Sequence, residues 1–225
     1  FTDDIYDSIV VQRNNIVING NGYTLQGPGT GGSKGIDLFG RTNVTVHNTQ
    51  IKNFDYGIQL YYSSNNSISG NNINFNMEIN IFLNYSSSNS ISGNNITSYV
   101  HGILLYSSSN NSISGNNITN NGYGIRLYSS SNNSISENNI ANNHAGGGIW
   151  FEDSSSYYNS ISGNNITKNS YGITLGGSCN NISGNNITAN GSWYGIYLGP
   201  SFNSISGNTF TNDGLYVDLY SDYYY

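Results

Sequence analysis

Asn66-Ser67-Ile68-Ser69-Gly70-Asn71-Asn72-Ile73 decides the fold, because the chain keeps returning to it. It recurs nearly unchanged at 89–96, 111–118, 133–140, 159–166 and 203–210, and one residue shorter at 181–187. A second phrase, Gly57-Ile58-Gln59-Leu60, recurs in the form Gly-Ile-x-Leu at 35–38, 102–105, 124–127, 172–175 and 195–198, with looser versions at 80–83, 148–151 and 214–217. The closing residue of the octet falls at Ile51, Ile73, Ile96, Ile118, Ile140, Ile166, Ile187 and Phe210, in steps of 22, 23, 22, 22, 26, 21 and 23 residues. A fixed period of this size marks a solenoid. Apolar residues alternate with polar ones in short β-branched runs bounded by Gly and Asn, which is a strand pattern with no helical period.

Three short strands and three turns fit one period. The expected fold is therefore all-β: a single-stranded right-handed parallel β-helix of about nine coils of roughly 22 residues each. At about 4.8 Å per coil the rod would be on the order of 45 Å long. One domain is expected over 1–225, with 1–15 as an N-terminal covering strand, 16–217 as coils and 218–225 as an open C-terminal end. Stacking predicts inward ladders of Ile68, Ile91, Ile113, Ile135, Ile161, Ile182 and Ile205, and of Ile58, Ile81, Ile103, Ile125, Ile149, Ile173 and Ile196. Asn66, Asn89, Asn111, Asn133, Asn159, Asn180 and Asn203 form an unbroken column whose amides can hydrogen-bond from coil to coil. Gly70, Gly93, Gly115, Gly163, Gly184 and Gly207 mark a turn position that calls for positive φ, where Glu137 is the odd member.

The composition agrees once it is read by column. Asn, Ser and Gly number 42, 35 and 28 among 225 residues, which alone would suggest a disordered polar tract, but 27 Ile and 20 Tyr contradict that. Six Lys plus Arg against 12 Asp plus Glu leave no basic patch for nucleic acid. No apolar run is long enough to span a bilayer as a helix. The lone Cys179 makes no internal disulfide and no metal-site spacing.

The repeats resemble those of the NosD-like, pectate-lyase-superfamily right-handed parallel β-helix proteins, and the opening Ile16-Val17-Ile18-Asn19-Gly20-Asn21-Gly22-Tyr23-Thr24-Leu25-Gln26-Gly27 resembles the first coil of that group. The resemblance covers 16–217 and implies the fold. For function it implies a range: lyases, hydrolases, epimerases, adhesins and structural surface repeats share the architecture. No position matches the catalytic motifs of the pectate lyases or polygalacturonases. The resemblance also implies a periplasmic role in copper handling, but one Met, one Cys and three scattered His are a thin ligand supply, and no cofactor or metal site is expected.

The nearest approach to an acid–base cluster is Asp55 stacked on Glu78 in adjacent coils, with His101 one coil further. A ligand-binding platform is expected where the repeat departs from its period: Trp150, Glu152, Asp153, Tyr171, Trp193 and Tyr194 gather flat aromatic faces and polar groups at enlarged turns, as sugar binding requires. Tyr61, Tyr106 and Tyr128 read instead as a stabilising cross-strand stripe. Among the many sequons, Asn43, Asn65, Asn110 and Asn132 share one outer turn column and are the expected glycan sites, whereas Asn95, Asn117, Asn165 and Asn186 sit beside core Ile and are expected to be buried.

The leading expectation is a non-catalytic extracellular or cell-surface β-helix, glycosylated and stacking end to end with itself or continuing into neighbouring domains of a longer chain. The alternative is a carbohydrate-binding or carbohydrate-active protein of the lyase, hydrolase or epimerase kind, with glycans as partners.

Overall fold

The computed structural model describes residues 1–191, 194–199 and 202–217. Its strands form three parallel sheets, of ten, nine and nine strands, and each sheet takes one strand from every coil. The Gly-Ile-x-Leu phrases build the first, whose strands reach six residues in Tyr56–Tyr61, Ile79–Asn84, His101–Tyr106 and Tyr123–Tyr128. The second takes the Ser-Ile-Ser triplets, such as Ser112–Ser114, and the third the Asn-Ile-Thr triplets, such as Asn117–Thr119. At the N-terminal end Ile9–Val10 pairs in parallel with Lys34–Asp37, so it adds a rung to the same stack.

Three-residue strands are too short to hold together by themselves. Their stability comes from register: Ile68, Ile91, Ile113, Ile135, Ile161 and Ile182 pair in succession, and all six are fully buried. The Ile58 and Ile73 columns are equally dry. Each buried aliphatic side chain is worth roughly 1.5–3 kcal/mol, and repetition coil after coil compensates for the polar composition of the outside.

The corners follow one rule: a residue in the left-handed region, then a polar side chain turned inward. In a single coil Asn110 (φ 59°), Gly115 (63°) and Asn120 (57°) precede Asn111, Asn116 and Asn121. The expected Asn66 column is thus one of three. A second runs from Asn71 through Asn94, Asn116, Asn138 and Asn164 to Asn185, and a third joins Asn121, Asn143, Asn169 and Asn190 to Asp213. Ser63, Ser86, Ser108, Ser130 and Ser156 add a hydroxyl row beside the first. Apart from Asn121 Oδ1, which has no partner, these buried amides are saturated with hydrogen bonds. The Asn116 Nδ2 donates to Asn138 Oδ1 (3.0 Å) and to the Ile91 and Ser114 carbonyls (2.9 and 3.2 Å), while its Oδ1 accepts from the Asn94 backbone N–H and Nδ2 (3.0 and 2.9 Å). The amide rows therefore satisfy corner backbone groups that strand pairing leaves over.

The Gly70 column adopts the positive φ that its composition requires, and Glu137 adopts it too, at 58°, with a Cβ to accommodate. One expectation is overturned. Asn95, Asn117, Asn165 and Asn186 are exposed, not buried, because strand alternation turns their side chains outward while the adjoining Ile points in. They form a fourth, surface ladder with Asn72 and Asn139. Asn43, Asn65, Asn110 and Asn132 are exposed at a corner, each with positive φ.

Candidate functional site

Two of the three outer faces are nearly uniform sheets of Ser or of Asn and Thr. The outer face of the long-strand sheet differs, because its outward positions carry the aromatic residues and the central charged cluster. Register places Arg126 between Leu104 and Trp150, and His101 beside Tyr123. Glu152 follows the strand Gly147–Phe151 and receives three hydrogen bonds or charge contacts at one oxygen: Arg126 Nε at 3.0 Å, Arg126 Nη2 at 2.8 Å and Trp150 Nε1 at 3.0 Å. Arg126 also lies over the Tyr123 ring, 4.9 Å from its centroid, a cation–π distance. Trp150 meets Tyr123 and Tyr171 edge-on, each at 6.0 Å.

His101 completes the cluster. Its Nε2 lies 3.3 Å from Arg126 Nη1, and since a guanidinium only donates, the imidazole accepts there and carries its proton on Nδ1. Burial first, and then the Arg126 charge, lower its pKa to about 4, against a smaller raising influence of Glu152. The folded protein therefore holds His101 neutral, whereas the unfolded chain protonates it near 6.5. The unfolded state binds the extra proton between these values, so stability from this group is complete above pH 6.5 and falls as pH drops towards 4. The ring is partly exposed, so the loss expected is about 2 kcal/mol or less. Urea unfolding followed from pH 7 to 4 should show that slope in the parent and not in His101→Gln.

The residues expected from the sequence divide into those that meet and those that do not. Trp150, Glu152 and Tyr171 come together with His101. Asp153 instead fastens a turn, accepting from the Ser129 N–H at 3.1 Å and the Ser129 hydroxyl at 2.7 Å. Tyr194 stacks on Tyr216 at 4.4 Å, away from Trp150, and Trp193 lies outside the described residues. Asp55 and Glu78 are neighbours by backbone, the Glu78 N–H donating to the Asp55 carbonyl at 3.0 Å, but their carboxylates are engaged separately. Asp55 is buried and accepts from the Ser33 N–H at 2.7 Å. Glu78 is exposed and accepts from the Tyr56 hydroxyl, which, with burial and the Glu78 and Asp55 charges, pushes the Tyr56 pKa up to about 12. Arg126 is the hub of the cluster and is not among the site residues expected from the sequence. The signal that would have found it is a lone cation in an outward column with Glu152 one coil further on.

The Tyr stripe holds and extends. Tyr106 and Tyr128 stack at 4.9 Å with planes 1° apart, and Phe39, Tyr61, Tyr62 and Tyr85 continue the row. Tyr106 and Tyr128 turn faces to each other, so part of their flat area is already covered.

A coiled stack of three parallel sheets with amide-lined corners defines a right-handed parallel β-helix repeat protein, and comparison with known families agrees. Residues 2–146 match the family described as periplasmic copper-binding protein (NosD), and residues 80–224 match the right-handed beta helix region. The chain belongs to the NosD-like β-helix family. No curated protein matches it. Among solved structures it is similar to DFA-IIIase from Arthrobacter chlorophenolicus A6 without its lid, at TM-score 0.75 and 15% identity over 96% of this chain and 61% of that one. It is also similar to the enzymatically active domain of bacteriophage CBA120 tailspike protein 2, at 0.73 and 13% over 96% and 41%. The periplasmic alginate epimerase AlgG T265N mutant follows at 0.56 and 17% over 95% and 47%. At these identities the likeness is one of fold, and the chain spans between two-fifths and three-fifths of those proteins.

The copper in the family description finds no matching donor set. Among the described residues no three His, Cys, Asp or Glu are placed to share a metal ion. His47 lies in the Ser-Ile-Ser sheet beside Ser69, His101 is engaged by Arg126 on another face, and Cys179 is exposed at a corner.

Proposed function

We propose that this chain recognises carbohydrate on the outer face of its long-strand sheet, centred on Trp150, Arg126 and Glu152. The observation that carries the reading is the cluster itself: a charge-paired, hydrogen-bonding group set among aromatic rings on one face of a rod whose other faces are plain. Rings offer apolar area for the C–H side of a sugar, and the surrounding polar groups serve its hydroxyls. The proteins of like fold support it, being by description a DFA-IIIase, a tailspike enzymatic domain and an alginate epimerase. They favour the carbohydrate reading, second in the sequence analysis, over an inert surface or filament protein. A periplasmic or extracellular location fits the family description and the epimerase.

A glycan array is the test. Trp150→Ala should lower affinity for the best ligand at least tenfold, about 1.4 kcal/mol, with the circular dichroism of the sheet unchanged. An array with no ligand, or a ligand bound equally by Trp150→Ala, overturns the proposal. Turnover at the same place is a second reading, favoured by the neutral, perturbed His101 beside an ion pair. Product release from a bound oligosaccharide that is lost in His101→Ala but retained in a variant at Tyr194 would support it.

A further inference from the structure

We infer that the outer face of the Asn-Ile-Thr sheet is a binding surface for ice. This face lies apart from the Trp150 cluster and does not depend on carbohydrate recognition there. Seven successive strands, from Asn72–Asn74 to Thr209–Thr211, each turn two side chains outward and one inward. The outward side chains form two ranks along the rod. Asparagines run in register from Asn72 to Asn186 in the first. Thr97, Thr119, Thr167 and Thr188 stand in the second, with Ala141 in place of a Thr between the middle two. No outward position of these seven strands is charged or aromatic.

Both ranks are held rigidly. In the first, each Nδ2 donates to the Oδ1 of the coil before, from Asn186 back to Asn72, and the five distances stay within 2.7–3.1 Å. An amide fixed in this way keeps a second N–H and a second lone pair for an outside partner. In the second rank, branching at Cβ stiffens each Thr and sets a methyl beside its hydroxyl. The array has two repeats, about 4.8 Å between strands along the rod and roughly 6.6 Å between the two outward residues of a strand. Both are of the size of the repeats between oxygen atoms in hexagonal ice. Six steps of about 4.8 Å carry the pattern over roughly 29 Å.

Repetition points to a solid. A dissolved molecule has ends and unlike groups, so its site carries unlike side chains, as the Trp150 cluster does. A lattice gains at every step from a surface that repeats with it. One hydrogen bond cannot tell ice from liquid water, since both donate and accept, and its net worth is small. Many groups preorganised in register can, because only the solid keeps its oxygens in place. Chemistry then selects the solid. An ionic mineral calls for charged side chains and a crystalline polysaccharide for aromatic rings, and this face presents neither. Ice is neutral and both donates and accepts throughout, as the amide and hydroxyl ranks do, and the Thr methyls ease dehydration of the contact. The Ser-Ile-Ser sheet repeats as well, but Ser lacks the methyl and the Cβ branch that fix Thr.

Two measurements on the full chain test the inference: the gap it opens between melting and freezing of a single ice crystal, and its uptake into slowly growing ice. The parent should open such a gap and enter the ice about tenfold more than serum albumin. Thr119→Lys sets a long charged side chain in the middle of the second rank and should cut both readouts about tenfold. Thr167→Lys, two coils away, should repeat the loss. Both positions are outward and partly exposed, so circular dichroism should not change. Ser114→Lys on the neighbouring sheet and Trp150→Ala should keep the parent values. A parent with neither freezing gap nor ice uptake overturns the inference, and so does survival of both in Thr119→Lys and Thr167→Lys. An equal loss in Ser114→Lys overturns it too, since any added charge would then suffice. Glycan binding at Trp150 is unaffected by each of these outcomes, so the two readings stand or fall separately.

Discussion

Asn116→Ala should lower the unfolding free energy by about 3–5 kcal/mol, although it removes only a small polar side chain. The substitution deprives the Asn94 N–H and Nδ2 of their acceptor and the Asn138 oxygen and the Ile91 and Ser114 carbonyls of a donor. All lie in the dry corner, where an unpaired group costs about 1–3 kcal/mol, and water entering the gap offsets part of the sum. Asn117, the next residue, is the matched control. Its side chain belongs to the surface ladder, donating to Asn95 Oδ1 and accepting from Asn139 Nδ2, where water replaces a lost partner. Asn117→Ala should cost less than about 1 kcal/mol. Urea unfolding of the two variants under identical conditions measures the difference, and equal costs would refute the assignment of the interior amides as the structural spine.

Gly124→Ala should be about as damaging, at roughly 3 kcal/mol or more, for a steric reason. A Cβ at Gly124 would stand 2.4 Å from the Gly148 carbonyl oxygen of the next coil and 2.9 Å from Ile140 Cγ2. The obstacle is backbone, which cannot swing away as a side chain can. Gly102 meets the Gly124 oxygen in the same way at 2.5 Å, and Gly35, Gly57, Gly148 and Gly172 likewise face a carbonyl oxygen of the next coil, whereas Asn80 holds this position with a Cβ. Gly115→Ala provides the contrast: a Cβ there meets nothing within 4 Å, and only its φ of 63° is unfavourable. About 1 kcal/mol is expected. Thermal unfolding of both alanine variants tests the distinction, and a Gly124→Ala protein as stable as Gly115→Ala would contradict the close contact between coils.

The fold was legible because it is written many times over. One octet holds four inward positions, Asn66, Ile68, Asn71 and Ile73, and each recurrence confirms the period, so strand lengths too short for ordinary prediction became certain by repetition. The Asn66 column was visible for the same reason. The other two interior columns were not seen, because in Gly70-Asn71-Asn72 two asparagines stand side by side and only the backbone decides which turns in. The left-handed residue before the corner turns Asn71 inward, and the strand that follows sends Asn72 outward. The buried assignment for Asn95 and its equivalents failed on that same ambiguity.

The candidate site was only half legible, since chemistry there departs from the repeat instead of following it. Trp150, Glu152 and Tyr171 were found as irregularities beside an enlarged turn. Their connection to Arg126 and His101 crosses coils, between residues 26 and 25 apart in sequence. Pairs so distant become neighbours only through exact registration of strands, which composition cannot reveal. Asp153 shows the converse, an acid that looked available and is consumed in holding a turn.

The interior amide rows also have a direction. In the Asn71 row each Nδ2 points to the oxygen of the following coil, from Asn71 to Asn94, Asn116, Asn138, Asn164 and Asn185, and the surface row of Asn95 and Asn117 points the opposite way. Aligned amide dipoles add along the axis, as peptide dipoles do in a helix. The first position of an interior row supplies only a backbone N–H, and Val44, Thr49 and Phe54 occupy it. A position that ends such a row needs only acceptors, and Asp213 takes it for the third row, its carboxylate receiving the N–H and Nδ2 of Asn190. Asp213 is thus to this amide row what an acid is at a helix N-terminus: an anion at the positive end of a polarised column, with no side-chain donor of its own. In such a row the change from Asn to Asp, a single atom group, is the difference between a side chain that both accepts and donates and one that only accepts.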